Sequence, residues 1–164
     1  MSRVIGFYGA GDAYGCFSNF YRAPFKFEGK CFTWSEQYIM YKKAELFEDA
    51  EMMRAVMLAT TPMAAKSCGR KVSGYVDSVW VERRVELSTV GIYEKFKQNR
   101  DIRDILLGTG DAILAECAPR DKIWGIGMGV SNPAVQHPGQ WRGQNILGSI
   151  LMDVRRRLRD DLGV

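Results

Sequence analysis

Glu36 and Lys43 stand seven residues apart in a stretch patterned as a helix. At about 3.6 residues per turn, that spacing spans about 700° and returns both side chains to within roughly 20° of one face. A carboxyl group beside an amine gives each a partner that tunes its pKa, and delivering a proton to a leaving nitrogen needs such a group. An amine of lowered pKa can also attack a carbonyl-type carbon and form a Schiff base. Both residues have plainer uses. Thr33-Trp-Ser-Glu36 has capping-box spacing, and a helical lysine can simply be solvated.

A second group lies in the C-terminal half. In Asp121-Lys-Ile-Trp-Gly-Ile-Gly127, Gly125 and Gly127 let the backbone approach a ligand closely. Trp124 offers a flat face for a nucleobase or pyrimidine, a stack worth about 1–3 kcal/mol, or it packs in the core. Asp121 is either a second carboxylate for two-carboxylate hydrolysis or the end of a loop. Asn145, after Gly143-Gln, is placed to cap the last helix. Such a helix entrance turns free N–H groups and the positive dipole end toward a phosphate. Arg70 is a second phosphate candidate or a surface arginine, and Phe17, Asn19 and Phe20 close a pocket or form a turn and core. Gly9-Ala-Gly11 lacks the full GxGxxG pattern and its βα unit, which excludes a Rossmann reading.

These residues need a scaffold, and 164 residues suit one compact domain, residues 1–164, burying roughly 68–70% of its unfolded surface. A composition 46% hydrophobic and 26% charged is ordinary for a globular chain. Cys16, Cys31, Cys68 and Cys117 form no CxxC pair and read as reduced, buried thiols. Together with the single His137 they show no zinc-ligand spacing, so no metal is expected. The N-terminus has no apolar signal region and no stretch approaches a membrane span, which makes the cytoplasm the expected location. The +4 formal charge suits an anionic ligand. Much of that excess is Arg155, Arg156, Arg157 and Arg159, which favour a helix C-terminus or contact nucleic acid.

The patterning predicts a strand over residues 4–8 and a hairpin over 24–32 turning at Glu28-Gly29. Helices are expected over residues 33–47, with Trp34, Tyr38 and Tyr41 on one face, over 48–59, and from Pro62 to Gly69. A long helix capped at Asp77 or Ser78 should bury Val81, Val85, Ile92 and Phe96, and a short one should follow over residues 99–108. Short strands are expected over residues 113–117 and 122–128. The last helix carries the apolar stripe Ile146, Leu147, Ile150, Leu151, Val154 and Leu158. The sum is a mostly helical α+β domain with a small β-sheet.

Several segments, in order along nearly the whole chain, resemble the NADAR (YbiA-like) riboflavin-intermediate N-glycosidase family. They are Phe17-Ser-Asn-Phe20, Trp34-Ser-Glu36 with Tyr38 and Lys43, Thr61-Pro62 with Gly69-Arg70, Trp80, and Lys95-Phe96. They continue with Leu106-Leu-Gly-Thr-Gly-Asp-Ala112, Asp121-Lys-Ile-Trp-Gly-Ile-Gly127 and the run from Gly143 to Arg155. The chain departs from the family at residues 128–142, an extended loop, at Ser88 in place of a usual methionine, and at Lys42-Lys43 in place of one lysine. The resemblance implies a cofactor-free N-glycosidase releasing ribose 5-phosphate from phosphoribosylated aminopyrimidines. It implies catalytic roles for Glu36, Lys43 and Asp121. Asn19, Phe20, Arg70, Trp80, Trp124, Gly125, Gly127 and Asn145 would bind the small-molecule phosphoribosyl substrate. Removal of ADP-ribose from modified guanine in nucleic acid is the alternative activity, and a non-catalytic ADP-ribose or nucleic-acid binding module the alternative class.

Overall fold

A computed structural model describes residues 2–164, and the backbone falls into two compact units. One holds Asn19–Asn99; the other joins Arg100–Val164 to the chain up to Ser18.

After β1 (Val4–Phe7) of the other unit, the unit Asn19–Asn99 opens with a hairpin of β2 (Phe25–Phe27) and β3 (Lys30–Phe32). Glu28 and Gly29 both have positive φ, 50° and 78°, the pair that a tight two-residue hairpin turn requires. The register sets Phe25 opposite Phe32 and Lys26 opposite Cys31. Strand alternation therefore buries both phenylalanines and exposes both Lys26 and Cys31. Cys31 is thus not the expected buried thiol, and Cys68 is only partly covered; Cys16 and Cys117 are buried, and all four are free. Phe25 and Phe32 pack on Tyr38 of α1 (Ser35–Leu46), with Tyr41, Val56 and Ala65 completing the cluster.

The capping box expected at the start of α1 does not form. Trp34 is the N-cap, and the Thr33 N–H donates to Oε1 of Gln37 at 2.8 Å. Helix α2 (Ala50–Leu58) is capped by Asp49, and α3 (Pro62–Gly69) by Thr61, with Pro62 in its first turn as expected.

Helix α4 (Asp77–Gln98) turns a different face inward from the one its valines suggest. Val81 and Val85 are 45% and 44% exposed, while Trp80, Arg84, Ser88, Ile92 and Phe96 are buried. Gly91 is the reason. A Cβ there would lie 2.1 Å from Cδ1 of Tyr38, so α4 meets α1 through its one residue without a side chain. That contact fixes the helix rotation. Arg84 points within roughly 20° of Gly91, and Val85 roughly 120° away.

In the other unit, β1 (Val4–Phe7) pairs in parallel with β4 (Ile113–Glu116), Val4 opposite Ile113. Around this two-stranded sheet Val4, Ala115, Cys117, Ile126, Met128 and Val135 form a core. Helix α5 (Arg100–Gly108) precedes β4, and α6 (Ile146–Leu162) buries Leu147, Ile150, Leu151, Val154 and Leu158, most of the expected stripe. The mostly helical α+β class holds, with two small sheets instead of one.

No strand forms over residues 122–128. The carbonyls of Lys122, Ile123, Trp124 and Gly125 instead accept from the N–H groups of Gln144, Ile146, Leu147 and Asn145. The segment is a loop laced to the start of α6. Residues 128–142 contain two short 3-10 turns, Pro133–Gln136 and Pro138–Gln140, and the Trp141 Nε1–H donates to the Val135 carbonyl.

The arginines of α6 are largely committed within the fold. Arg155 is buried and donates to Oγ1 of Thr109 and the carbonyl of Ala112, both at 2.9 Å. Arg156 pairs with Asp153 and Asp160, Arg157 with Asp153, and Arg159 with Asp111.

Candidate functional site

In the unit Asn19–Asn99, the side chains of α1, the end of α3 and the start of α4 gather around Lys43. Its amine lies 4.6 Å from the Tyr75 ring centroid and 5.9 Å from that of Trp80. Lys43 makes no salt bridge or hydrogen bond with a described residue. Burial pushes its pKa below the ordinary lysine value; the Glu36 carboxylate opposes that shift, Arg70 adds to it, and Asp77 opposes it. The neighbouring Lys42 points elsewhere. Its amine is 3.0 Å from Glu45 and lies over the rings of Phe27 and Tyr38.

Glu36 is 9% exposed in the first turn of α1. Asn19 holds that turn: its carbonyl accepts from the Glu36 N–H at 3.1 Å and its Oδ1 from the Ser35 hydroxyl at 2.8 Å. Asn19 thus positions Glu36 through the backbone. Phe20 receives Lys66, whose amine is 5.8 Å from the ring centroid, and Arg70 is exposed as the C-cap of α3.

In the second unit, Asp121 shapes a turn. Its Oδ1 accepts from the N–H groups of Ile123 and Trp124, both at 2.9 Å, and leaves Trp124 half-buried. Gly125 is required by space, since a Cβ would meet Ala118 and the carbonyls of Glu116 and Asp121 at 2.9–3.0 Å. Gly127 is required by its φ of 72°.

Asn145 differs from both of its expected roles. It occupies the N-cap position of α6, but at φ 54° and with no side-chain cap bond. Its amide instead bridges β4: Oδ1 accepts from the Glu116 N–H at 3.0 Å and Nδ2 donates to the Leu114 carbonyl at 2.9 Å. The N–H groups of Asn145, Ile146 and Leu147 are already taken by loop carbonyls. The helix entrance expected to receive a phosphate therefore has these three donors spent inside the protein.

Residues 6–159 match the family model of the NADAR domain. The chain belongs to the NADAR domain family. Protein irg-1 of Caenorhabditis elegans is 38% identical over 87% of this chain and 74% of its own length. N-glycosidase R617 of Acanthamoeba polyphaga mimivirus is 38% identical over 74% of this chain and 71% of its own. N-glycosidase YbiA of Escherichia coli K12 is 32% identical over 96% and 90%. The NMR structure of the E. coli protein YbiA superposes with a TM-score of 0.81 at 31% identity, covering 98% of this chain and 88% of that one.

In this NADAR chain Trp80 lies beside the Lys43 amine and Glu36 and Arg70 act on it electrostatically, while Asp121, Trp124, Gly125, Gly127 and Asn145 share one laced loop. The sequence reading missed Tyr75 and Asp77. They follow a turn at Gly74 (φ 71°), and the Tyr75 hydroxyl donates to Asp77 Oδ1 at 2.7 Å. An aromatic residue just before a helix that carries Trp80 in its first turns was the available signal. Among the described residues, no group of three or more His, Cys, Asp or Glu side chains is placed to hold a metal, and no helix is long and apolar enough to cross a membrane.

Proposed function

We propose that this NADAR chain is an N-glycosidase that cleaves phosphoribosylated aminopyrimidines through a Schiff base on Lys43. The observation that carries the reading is the state of that amine. It is half-buried against two aromatic rings, without an ion-pair partner, and its pKa is lowered mainly by desolvation. A lysine in such surroundings is nucleophilic at a pH where an ordinary lysine is protonated.

The chemistry balances with this chain's own groups. Ring opening breaks the C1–O4 bond, with O4 taking a proton, and leaves an imine between C1 and the leaving nitrogen; the neutral Lys43 amine adds to C1 as the C1=N electron pair moves onto that nitrogen. The bond from C1 to the leaving nitrogen then breaks as the acid form of Glu36 delivers a proton to that nitrogen. Water adds to the resulting imine, which returns the lysine and releases ribose 5-phosphate. Trp80 and Tyr75 wall the amine from bulk water.

The aminopyrimidine leaving group is supported by the family resemblance and by the aromatic residues at hand. ADP-ribosylated guanine is the competing substrate, and the pairing of Arg156, Arg157 and Arg159 with aspartates gives it no help. A panel of ribosylated substrates analysed by mass spectrometry tests the reading. Release of ribose 5-phosphate and an aminopyrimidine is expected. Release of ADP-ribose alone would reassign the substrate, and stoichiometric binding without product would make the chain a binding module.

A further inference from the structure

The inward face of α4 carries polar groups that the fold itself does not use. Arg84 is 8% exposed, yet its guanidinium makes no hydrogen bond or ion pair with a described residue, and its Nε is shielded from solvent. One turn further along the same face, Ser88 is fully buried and its Oγ also has no partner. Burial of an unpaired ionised group is costly, and a guanidinium cannot escape by losing its proton. Apolar residues were available. Val81 and Val85 flank Arg84 on the same helix and lie exposed.

Helical side chains lean toward the N-terminus, so Arg84 reaches over the turn that carries Trp80. Its charge acts on Tyr75, the ring that also receives the Lys43 amine. Arg70 acts on the same amine. Several cations thus converge on one aromatic corner, and the one buried deepest has no counter-ion.

We propose that Arg84 is the residue that binds the 5'-phosphate of the substrate, with the phosphate oxygens supplying the partner its guanidinium lacks. A guanidinium takes two oxygens of a phosphate in parallel, which recognises a phosphate monoester better than a single ammonium does. The Ser88 hydroxyl remains as a further donor on the same face. The assignment also fits the entrance of α6, where the donors expected to bind phosphate are already used. It takes the substrate class from the N-glycosidase reading; the unpaired buried cation stands without it.

The test titrates ribose 5-phosphate and ribose against the wild-type chain, Arg84→Met and Arg84→Lys, by calorimetry and by thermal shift. Wild type should bind ribose 5-phosphate and not ribose. Arg84→Met should weaken that binding by about 10- to 150-fold, the range for losing hydrogen bonds to a charged group. Arg84→Lys should fall between. The melting temperature of unliganded Arg84→Met should not drop, because no protein partner is lost; a structural arginine would lower it. In turnover, the preference for phosphorylated over unphosphorylated riboside should fall by the same factor. Ribose 5-phosphate binding to Arg84→Met within threefold of wild type, or no binding to wild type, overturns the proposal. Should Arg84→Met fail to fold, Arg84→Lys with undiminished affinity and preference overturns it equally. Loss of ribose 5-phosphate binding in a chain that cleaves no riboside would uphold this assignment and remove the N-glycosidase reading. Turnover whose phosphate preference survives in both variants would do the reverse.

Discussion

The amine of Lys43 sits 4.6 Å from the ring centroid of Tyr75, whose hydroxyl is itself tied to Asp77. The ring covers the amine, and burial is the largest cause of the lowered Lys43 pKa. A nucleophilic amine works in its neutral form and Glu36 in its acid form, so kcat/KM should rise and then fall with pH, and the limb that reports Lys43 should lie below the pH an ordinary lysine would require. Tyr75→Ala re-solvates the amine and should move that limb to higher pH, lowering kcat/KM near neutrality. A pH profile that does not move would separate Tyr75 from the reaction.

Lys43→Arg keeps the charge but cannot form an imine. It should abolish turnover while changing substrate binding by less than about tenfold, or about 1.4 kcal/mol. Borohydride added during wild-type turnover should trap a ribosyl adduct that peptide mapping places on Lys43. Lys42→Arg should keep most of its activity, because the Lys42 amine is occupied by Glu45 and faces other rings. An active Lys43→Arg variant with no trapped adduct would end the covalent route.

Asn145→Ala should destabilise the fold before it affects chemistry. The Leu114 carbonyl and the Glu116 N–H would each lose a partner, and alanine is poorly suited to φ 54°. A loss of about 1–3 kcal/mol follows from the unsatisfied groups, with a melting temperature lower by several degrees. Asn145→Gly, which tolerates the backbone angle, should recover only the conformational part. A differential scanning experiment on the two variants separates the contributions.

Arg155→Gln should cost about 1.5–3 kcal/mol in denaturant unfolding, the range for buried hydrogen bonds made by a charged group. Arg156→Gln and Arg157→Gln should each cost much less than that, since they break solvent-screened exposed pairs with Asp153 and Asp160. Equal losses at the three positions would contradict the distinct roles the structure gives them.

Local chemistry written into the chain specified most elements: the Glu28-Gly29 turn, Pro62 opening α3, and the stripe on α6 are each decided by neighbouring residues. The seven-residue spacing of Glu36 and Lys43 likewise brought the carboxylate within electrostatic reach of the amine, because helix geometry alone dictates it. Tertiary packing decided the rest. Which face of α4 turns inward depends on Gly91 meeting Tyr38, a contact 53 positions apart in sequence that no local pattern of valines reveals. Whether residues 122–128 pair as a strand depends on where the start of α6 lies to receive their carbonyls, and whether Asn145 caps a helix or clamps β4 depends on how near that strand passes. Long-range contacts choose among options that short-range propensities leave equal, and here they left Arg84 buried without a protein partner and the amide of Asn145 bound to β4.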